Sequence, residues 1–295
     1  MQDDYMRRAA VVMSALELVP AHPSDLTHIL RDSGQLELIG PAATRDSDLV
    51  RYLRDELEAP RVEHWLNEIR SLCSAGSFRV VLASSAPERH RYPPRLLKCW
   101  DAPPLLFASA NDIPVQRSVA IIGSREVGHD IIEHTRNLAS GLAMQDVTIV
   151  SGLARGVDAA AHEGALDAGG FTVAVLGTGI TRVYPAENIG LAERIRVAGL
   201  LLSQFAPRAP RTRTSFLQRN HVIAGLSDVS IIMAGEARSG SRHEVRQAIG
   251  YGRPVFMWAS ALAHQRWARD LVNSGVASFF DDSEEIRSTL EGLSE

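Results

Sequence analysis

Residues 148–179, TIVSGLARGVDAAAHEGALDAGGFTVAVLGTG, run from an apolar strand through glycines into an alanine-rich helix, then into a second strand ending in Gly177-Thr178-Gly179. A strand, a glycine turn and a helix in that order form a natural cradle for a phosphate. The first four N–H groups of a helix lack internal partners, and the dipole is positive there. The stretch therefore predicts an α/β protein with an anion site and leaves open whose phosphate it holds: a nucleotide cofactor, a small substrate or a nucleic-acid backbone.

Working outward, the same texture repeats. After Gly76 the β-branched runs FRVVLAS, SVAIIGS, VTIVSG, FTVAVLG, LLLSQF, VSIIMAG and PVFMWA alternate with amphipathic stretches. Runs with almost no polar alternation fit burial on both sides. The expectation is a Rossmann-like, mainly parallel sheet with helices on both faces. Residues 92–114, YPPRLLKCWDAPPLLFASANDIP, are proline-rich and are expected to cross the outside of the sheet as a short helix with extended flanks. Before Gly76 the apolar spacing is helical in RRAAVVMSALELV, HPSDLTHILRDSG and RVEHWLNEIRSLCSAG. The domain organisation expected is a small all-helical N-terminal domain over 1–76, followed by a Rossmann-like domain over 77–295.

Composition narrows the function. With 31 Lys and Arg against 35 Asp and Glu, the formal net charge is −4, so bulk positive charge does not coat a nucleic acid and only a local patch can serve. The two cysteines, Cys73 and Cys99, have neither CxxC nor disulfide-framework spacing. No HExxH-type histidine spacing and no GxxxxGK[ST] occur, so no metal, no cofactor and no P-loop are expected. The first ten residues do not resemble a signal peptide, and a cytoplasmic protein without membrane contact is expected.

Four turns carry the small residues of an anion site: Gly123-Ser124-Arg125; Gly152 with Arg155 and Gly156; Gly177 with Gly179; and Ser239-Gly240-Ser241. In an open parallel sheet they share one edge and converge at the topological switch point. GLARGVD does not have GxGxxG spacing, which disfavours a dinucleotide enzyme. Between Arg194 and Ser227 there is no acid, while Arg194, Arg196, Arg208, Arg211, Arg213, Arg219 and His221 all occur. Guanidinium groups suit phosphate because their planar fork donates two parallel hydrogen bonds, and Phe216 offers a stacking surface. In its core, APRAPRTRTSFLQRNHVIAGLS, prolines are expected to keep the chain extended.

SVAIIGSR, the long stretch IVSGLARGVDAAAHEGALDAGGFTVAVLGTGITRVYPAEN, LLSQFAP and FLQRNHVIAGLSDVSIIMAGEARSGS resemble the DNA-processing protein A (DprA/Smf) family over about residues 77–275. The resemblance implies a cytoplasmic, homodimeric protein without catalysis of its own. It would bind single-stranded DNA and help load a RecA-type recombinase onto strands entering by natural transformation. Carried over by position, Gly123, Ser124, Arg125, Gly152, Arg155, Gly177 and Gly179 would form the phosphate pocket. Arg219 and Asn220 would lie beside it, with Ser203, Arg211 and Arg213 extending the groove and Ser239, Gly240 and Ser241 completing the rim.

Two departures stand out. SGSRHEV replaces the family's SGSL-type turn, and MWASALAHQRWARD replaces its VPG. The chain also ends too early for the winged-helix domain that many members append. The first departure is similar to the nucleotide-binding SLOG group and its LOG enzymes, which release a base from a nucleoside monophosphate. On that alternative Arg219 would hold the phosphate and Glu244 would stabilise the developing cationic sugar. His162, one turn after Asp158, is expected to pack or cap rather than to transfer protons.

Overall fold

The computed structural model describes residues 2–19, 23–33, 48–83, 91–112, 116–236 and 240–293. The chain divides into two compact units, 1–110 and 111–295. In the first, helices α1 (Gln2–Leu18), α2 (Pro23–Ser33), α3 (Asp48–Glu56) and α4 (Ala59–Ser74) precede a hairpin of β1 (Phe78–Leu82) and β2 (Leu105–Ser109), with α5 (Pro94–Leu97) in the connection. The hairpin is antiparallel, from Phe78 opposite Ser109 to Leu82 opposite Leu105. Ala9, Val12 and Met13 of α1 and Trp65, Leu66 and Ile69 of α4 are buried. The Tyr5 hydroxyl accepts from the Leu82 amide at 2.8 Å, and burial pushes that phenol up to about 12. The texture change at Gly76 marks where strands begin, whereas the division between Ala110 and Asn111 places the hairpin with the helices. The short helix and an extended flank expected within 92–114 appear as α5 and β2, but the flank does not cross the outside of the sheet: β2 pairs with β1 and its five residues are all buried.

The second unit contains β3 (Ser118–Ile122), α6 (His129–Ala143), β4 (Thr148–Ser151), α7 (Val157–Asp167), β5 (Thr172–Val175), α8 (Ile189–Ala198) and β6 (Leu200–Ser203). There follow α9 (Arg213–Gln218), α10 (Asn220–Leu226), β7 (Val229–Ile232), α11 (Gly240–Gly250), β8 (Val255–Trp258), α12 (Ala259–Leu262), α13 (Arg266–Asn273), β9 (Ser278–Phe280) and α14 (Glu284–Gly292). Its strands lie in the order β6-β5-β4-β3-β7-β8-β9, and every adjacent pair is parallel. Side chains alternate across β3 and β7. Val119, Ile121, Val229 and Ile231 enter one core with Leu138 of α6, Ala161 of α7 and Leu290 of α14. Ile122 and Ser230 turn to the other face, toward α10 and α11. The three-residue β9 is too short to register in the sequence pattern.

Helices α6 and α7 touch backbone to backbone. A methyl group on Gly164 would stand 2.3 Å from the Arg136 carbonyl oxygen, whereas one on Gly141, also helical, would meet nothing within 4 Å. Gly164→Ala is therefore expected to cost about 1–3 kcal/mol through overpacking, and Gly141→Ala to gain about 0.5–1 kcal/mol from helix propensity. Paired thermal melts check this, and equal shifts for the two variants would contradict the packing.

Candidate functional site

The sheet order reverses at β3, whose chain continues toward β4 on one side while its other neighbour is β7. A cleft of about 390 Å³ opens at the carboxyl ends of these strands, where an open α/β sheet binds its ligands. Gly123, Ser124 and Arg125 form one wall, Phe216, Arg219 and Asn220 another, and Gly240 and Ser241 at the start of α11 a third. Ser239 lies outside the described residues. The rim is of mixed sign, since Glu126 and Glu236 also line it and both are exposed.

Arg125 is exposed, and its guanidinium carbon lies 5.4 Å from the Phe216 ring centroid. The Phe216 ring is tilted against Tyr184 at 5.5 Å, and Arg211 stands over Tyr184 at 4.5 Å. Arg125 and Arg211 thus flank a pair of aromatic rings, each of the two cations held by a ring quadrupole. A smaller recess shares Arg125 and Phe216 with the cleft and adds Arg155, Tyr184 and Pro185. There Arg155 meets Glu187 through both Nε and Nη2.

Arg194 and Arg196 lie on α8. The proline-rich core of the segment turns at 207–208, where the Ala209 amide donates to the Ala206 carbonyl at 2.8 Å, before running without helix as far as Thr212. Thr212 then caps α9: its hydroxyl accepts from the Ser215 amide at 2.9 Å, and the Ser215 hydroxyl accepts from the Thr212 amide at 3.1 Å. This reciprocal cap is the signal in Thr212-Arg213-Thr214-Ser215 that reading the segment as extended overlooks. Arg213 consequently begins a helix and is exposed. The turn at 207–208 is pinned to the loop after β5, where the Pro207 carbonyl accepts from the amide and the hydroxyl of Thr181.

Of the expected glycines, Gly123, Gly152, Gly156, Gly177 and Gly179 all make room for the protein itself, Gly123 for Val157 and Gly156 for the Ser124 carbonyl. A methyl on Gly152 would stand 2.0 Å from the Arg219 guanidinium, one on Gly177 2.6 Å from the Phe216 ring, and one on Gly179 2.2 Å from the Ala206 carbonyl. Ser203 is buried, donates to the Thr178 carbonyl at 2.7 Å and accepts from the Phe205 amide at 3.1 Å.

Beneath the cleft lies a buried polar cluster. Arg219 is 5% exposed; its Nη1 donates to the carbonyls of Gly152 and Val175, each at 2.5 Å. Its Nε donates to Asn220 at 3.0 Å, and Nη2 is 3.7 Å from the Asp158 carboxylate. Burial pushes the Asp158 carboxyl up from its usual range, while Arg219 and the Ala154 amide pull it back. Glu244 is fully buried, accepts from the Ser230 hydroxyl at 2.8 Å and leaves its second oxygen without a partner. Burial first, and Asp158 after it, raise that carboxyl to about 8. Glu244 does not line the cleft, so it is not placed to attend a sugar there. His162 is buried too; its Nδ1 meets the Thr172 hydroxyl at 2.7 Å, and burial lowers the imidazole to about 3.

A family model described as DNA recombination-mediator protein A matches residues 84–291. The chain belongs to this family. DNA processing protein DprA of Streptococcus pneumoniae (strain ATCC BAA-255 / R6) is 39% identical over 166 residues, covering 56% of this chain and 58% of that protein. DprA of Bacillus subtilis (strain 168) is 31% identical over 220 residues, covering 72% of this chain and 70% of that protein. A solved structure of DNA processing protein A from Helicobacter pylori, described for its single-stranded DNA binding mode, superposes with a TM-score of 0.61 at 30% identity, covering 73% of this chain and 95% of that one. The match to the pneumococcal relative thus spans less than two thirds of that protein's length. Among the described residues no helix is long and apolar enough to cross a membrane.

Proposed function

We propose that this chain binds single-stranded DNA without regard to sequence along the carboxyl edge of its parallel sheet. The observation that carries the reading is the cleft at the switch point, where Arg125, the amides after β3 and the start of α11 face the Phe216 ring. Phosphates lie against Arg125, Ser124 and the α11 amides, and the strand continues past Arg211 and Arg213. A base stacks on Phe216, which is tolerant of sequence because every base has a π-face. Membership of a recombination-mediator family supports the wider role: a cytoplasmic homodimer, without catalysis of its own, that delivers single strands to a RecA-type recombinase during DNA uptake.

A mobility-shift series with oligo-dT, duplex DNA and competing nucleoside monophosphates tests this. Oligo-dT is expected to bind, and the mononucleotides to compete poorly. Arg125→Ala is expected to weaken binding to unrelated single strands alike by about 1.5–3 kcal/mol, and Phe216→Ala by about 1–3 kcal/mol. Wild-type affinity in both variants at low salt would remove the cleft from the interface.

A further inference from the structure

Arg219 is an arginine in an anion-binding segment, yet its fork faces inward. One nitrogen spans the carbonyls at the ends of two neighbouring strands, Gly152 after β4 and Val175 of β5. The guanidinium lies so flat on Gly152 that a methyl there would stand 2.0 Å away. Nε donates to the Asn220 carbonyl oxygen, and the Asn220 amide nitrogen donates to the Gly240 carbonyl at 3.1 Å. Asp158 of α7 lies 3.7 Å from the remaining nitrogen. A guanidinium has five N–H groups; three serve these fixed oxygens and a fourth can face Asp158.

We propose that Arg219 is a positioning residue that takes no phosphate. It ties the ends of β4 and β5 to α7 and, through Asn220, to the first residue of α11, so that the α11 wall stands at a fixed distance from Arg125. Gripping a phosphate with two of its nitrogens would require the fork to give up a carbonyl or Asn220, since only Nη2 is not already committed to a fixed oxygen, and a side chain 5% exposed does not make up that loss. The inference rests on the single-strand-binding reading only for its DNA readout.

The test uses the full chain and oligo-dT over a range of salt. Each lost phosphate contact on a single strand flattens the slope of log affinity against log salt by about 0.7. Arg125→Ala is expected to show that flattening. Arg219→Gln is expected to weaken binding with an unchanged slope, and a flattening like that of Arg125→Ala would overturn the proposal. Because Arg219→Gln can fail to fold, Asn220→Ala serves as the second variant, cutting only the arm to α11. It is expected to bind oligo-dT about tenfold more weakly at an unchanged slope. Without DNA it is expected to speed hydrogen exchange in residues 240–244 while β4 and β5 stay protected. Wild-type affinity together with wild-type exchange in Asn220→Ala would overturn the proposal. If the wild type does not bind oligo-dT, the single-strand reading fails, and the exchange measurement alone decides the positioning role.

Discussion

Glu244→Gln is expected to melt increasingly above the wild type as the pH rises from 5 to 8.5. The carboxyl is fully buried and held up to about 8, against an ordinary 4.5. Below about 4.5 it is protonated in both folded and unfolded chains and contributes no pH dependence. Above that, the unfolded chain loses the proton while the folded chain keeps it, so folding stability declines as pH rises until the folded carboxyl ionises near 8. At about 1.4 kcal/mol per pH unit the decline amounts to a few kcal/mol. Glutamine keeps the shape and the acceptor for the Ser230 hydroxyl but cannot ionise, so the decline is absent from the variant. Thermal melts of both proteins at pH 5, 7 and 8.5 measure it, and a gap independent of pH would show that Glu244 titrates normally.

The second large effect concerns the partner of the buried guanidinium. Asp158 and Arg219 are 4% and 5% exposed, and Asp158→Ala leaves a positive charge without its nearest carboxylate. The expected loss is about 3–5 kcal/mol, because breaking a buried pair from one side leaves an uncompensated charge. Asp158→Ala combined with Arg219→Met is expected to recover part of it, since the stranded charge is then gone. Urea unfolding of the two single variants and the double variant forms a cycle that isolates the coupling. Additive losses would mean that the 3.7 Å approach carries no energy of its own.

The parts of the fold legible in the sequence are those coded by continuous stretches. Runs such as SVAII and VSII announce buried parallel strands, and the glycines after them announce strand ends at one edge. The place of the cleft follows from that alone. What the pattern does not carry is which atoms fill the space a glycine leaves. Gly152 reads as an exposed amide for a ligand, but its neighbour is Arg219, 67 residues later in the chain. Gly177 likewise receives Phe216. Arg219 and Arg125 look alike as residues in phosphate-binding motifs. Only the converging carbonyls of Gly152 and Val175 turn one inward, while the Phe216 ring keeps the other at the rim. The turn SGSRHEV suggests a reactive carboxylate because Glu244 follows a glycine-rich start. On α11 that side chain turns back onto the sheet, where Ser230 meets it.

The order of the strands also sets when the cleft can exist. Val119 of β3 pairs with Val229 of β7, so one side of the central strand stays unpaired until the chain has been made as far as β7. At 5–20 residues per second, a ribosome needs roughly 5–20 s to cover that distance. Throughout that time β3 to β6 can assemble while the facing edge of β3 stands open. Such late, distant pairing is the slow and aggregation-exposed kind. A chain stalled before β7 would therefore carry Arg125 and the glycine turns after β3, β4 and β5 without the wall that the start of α11 gives the cleft.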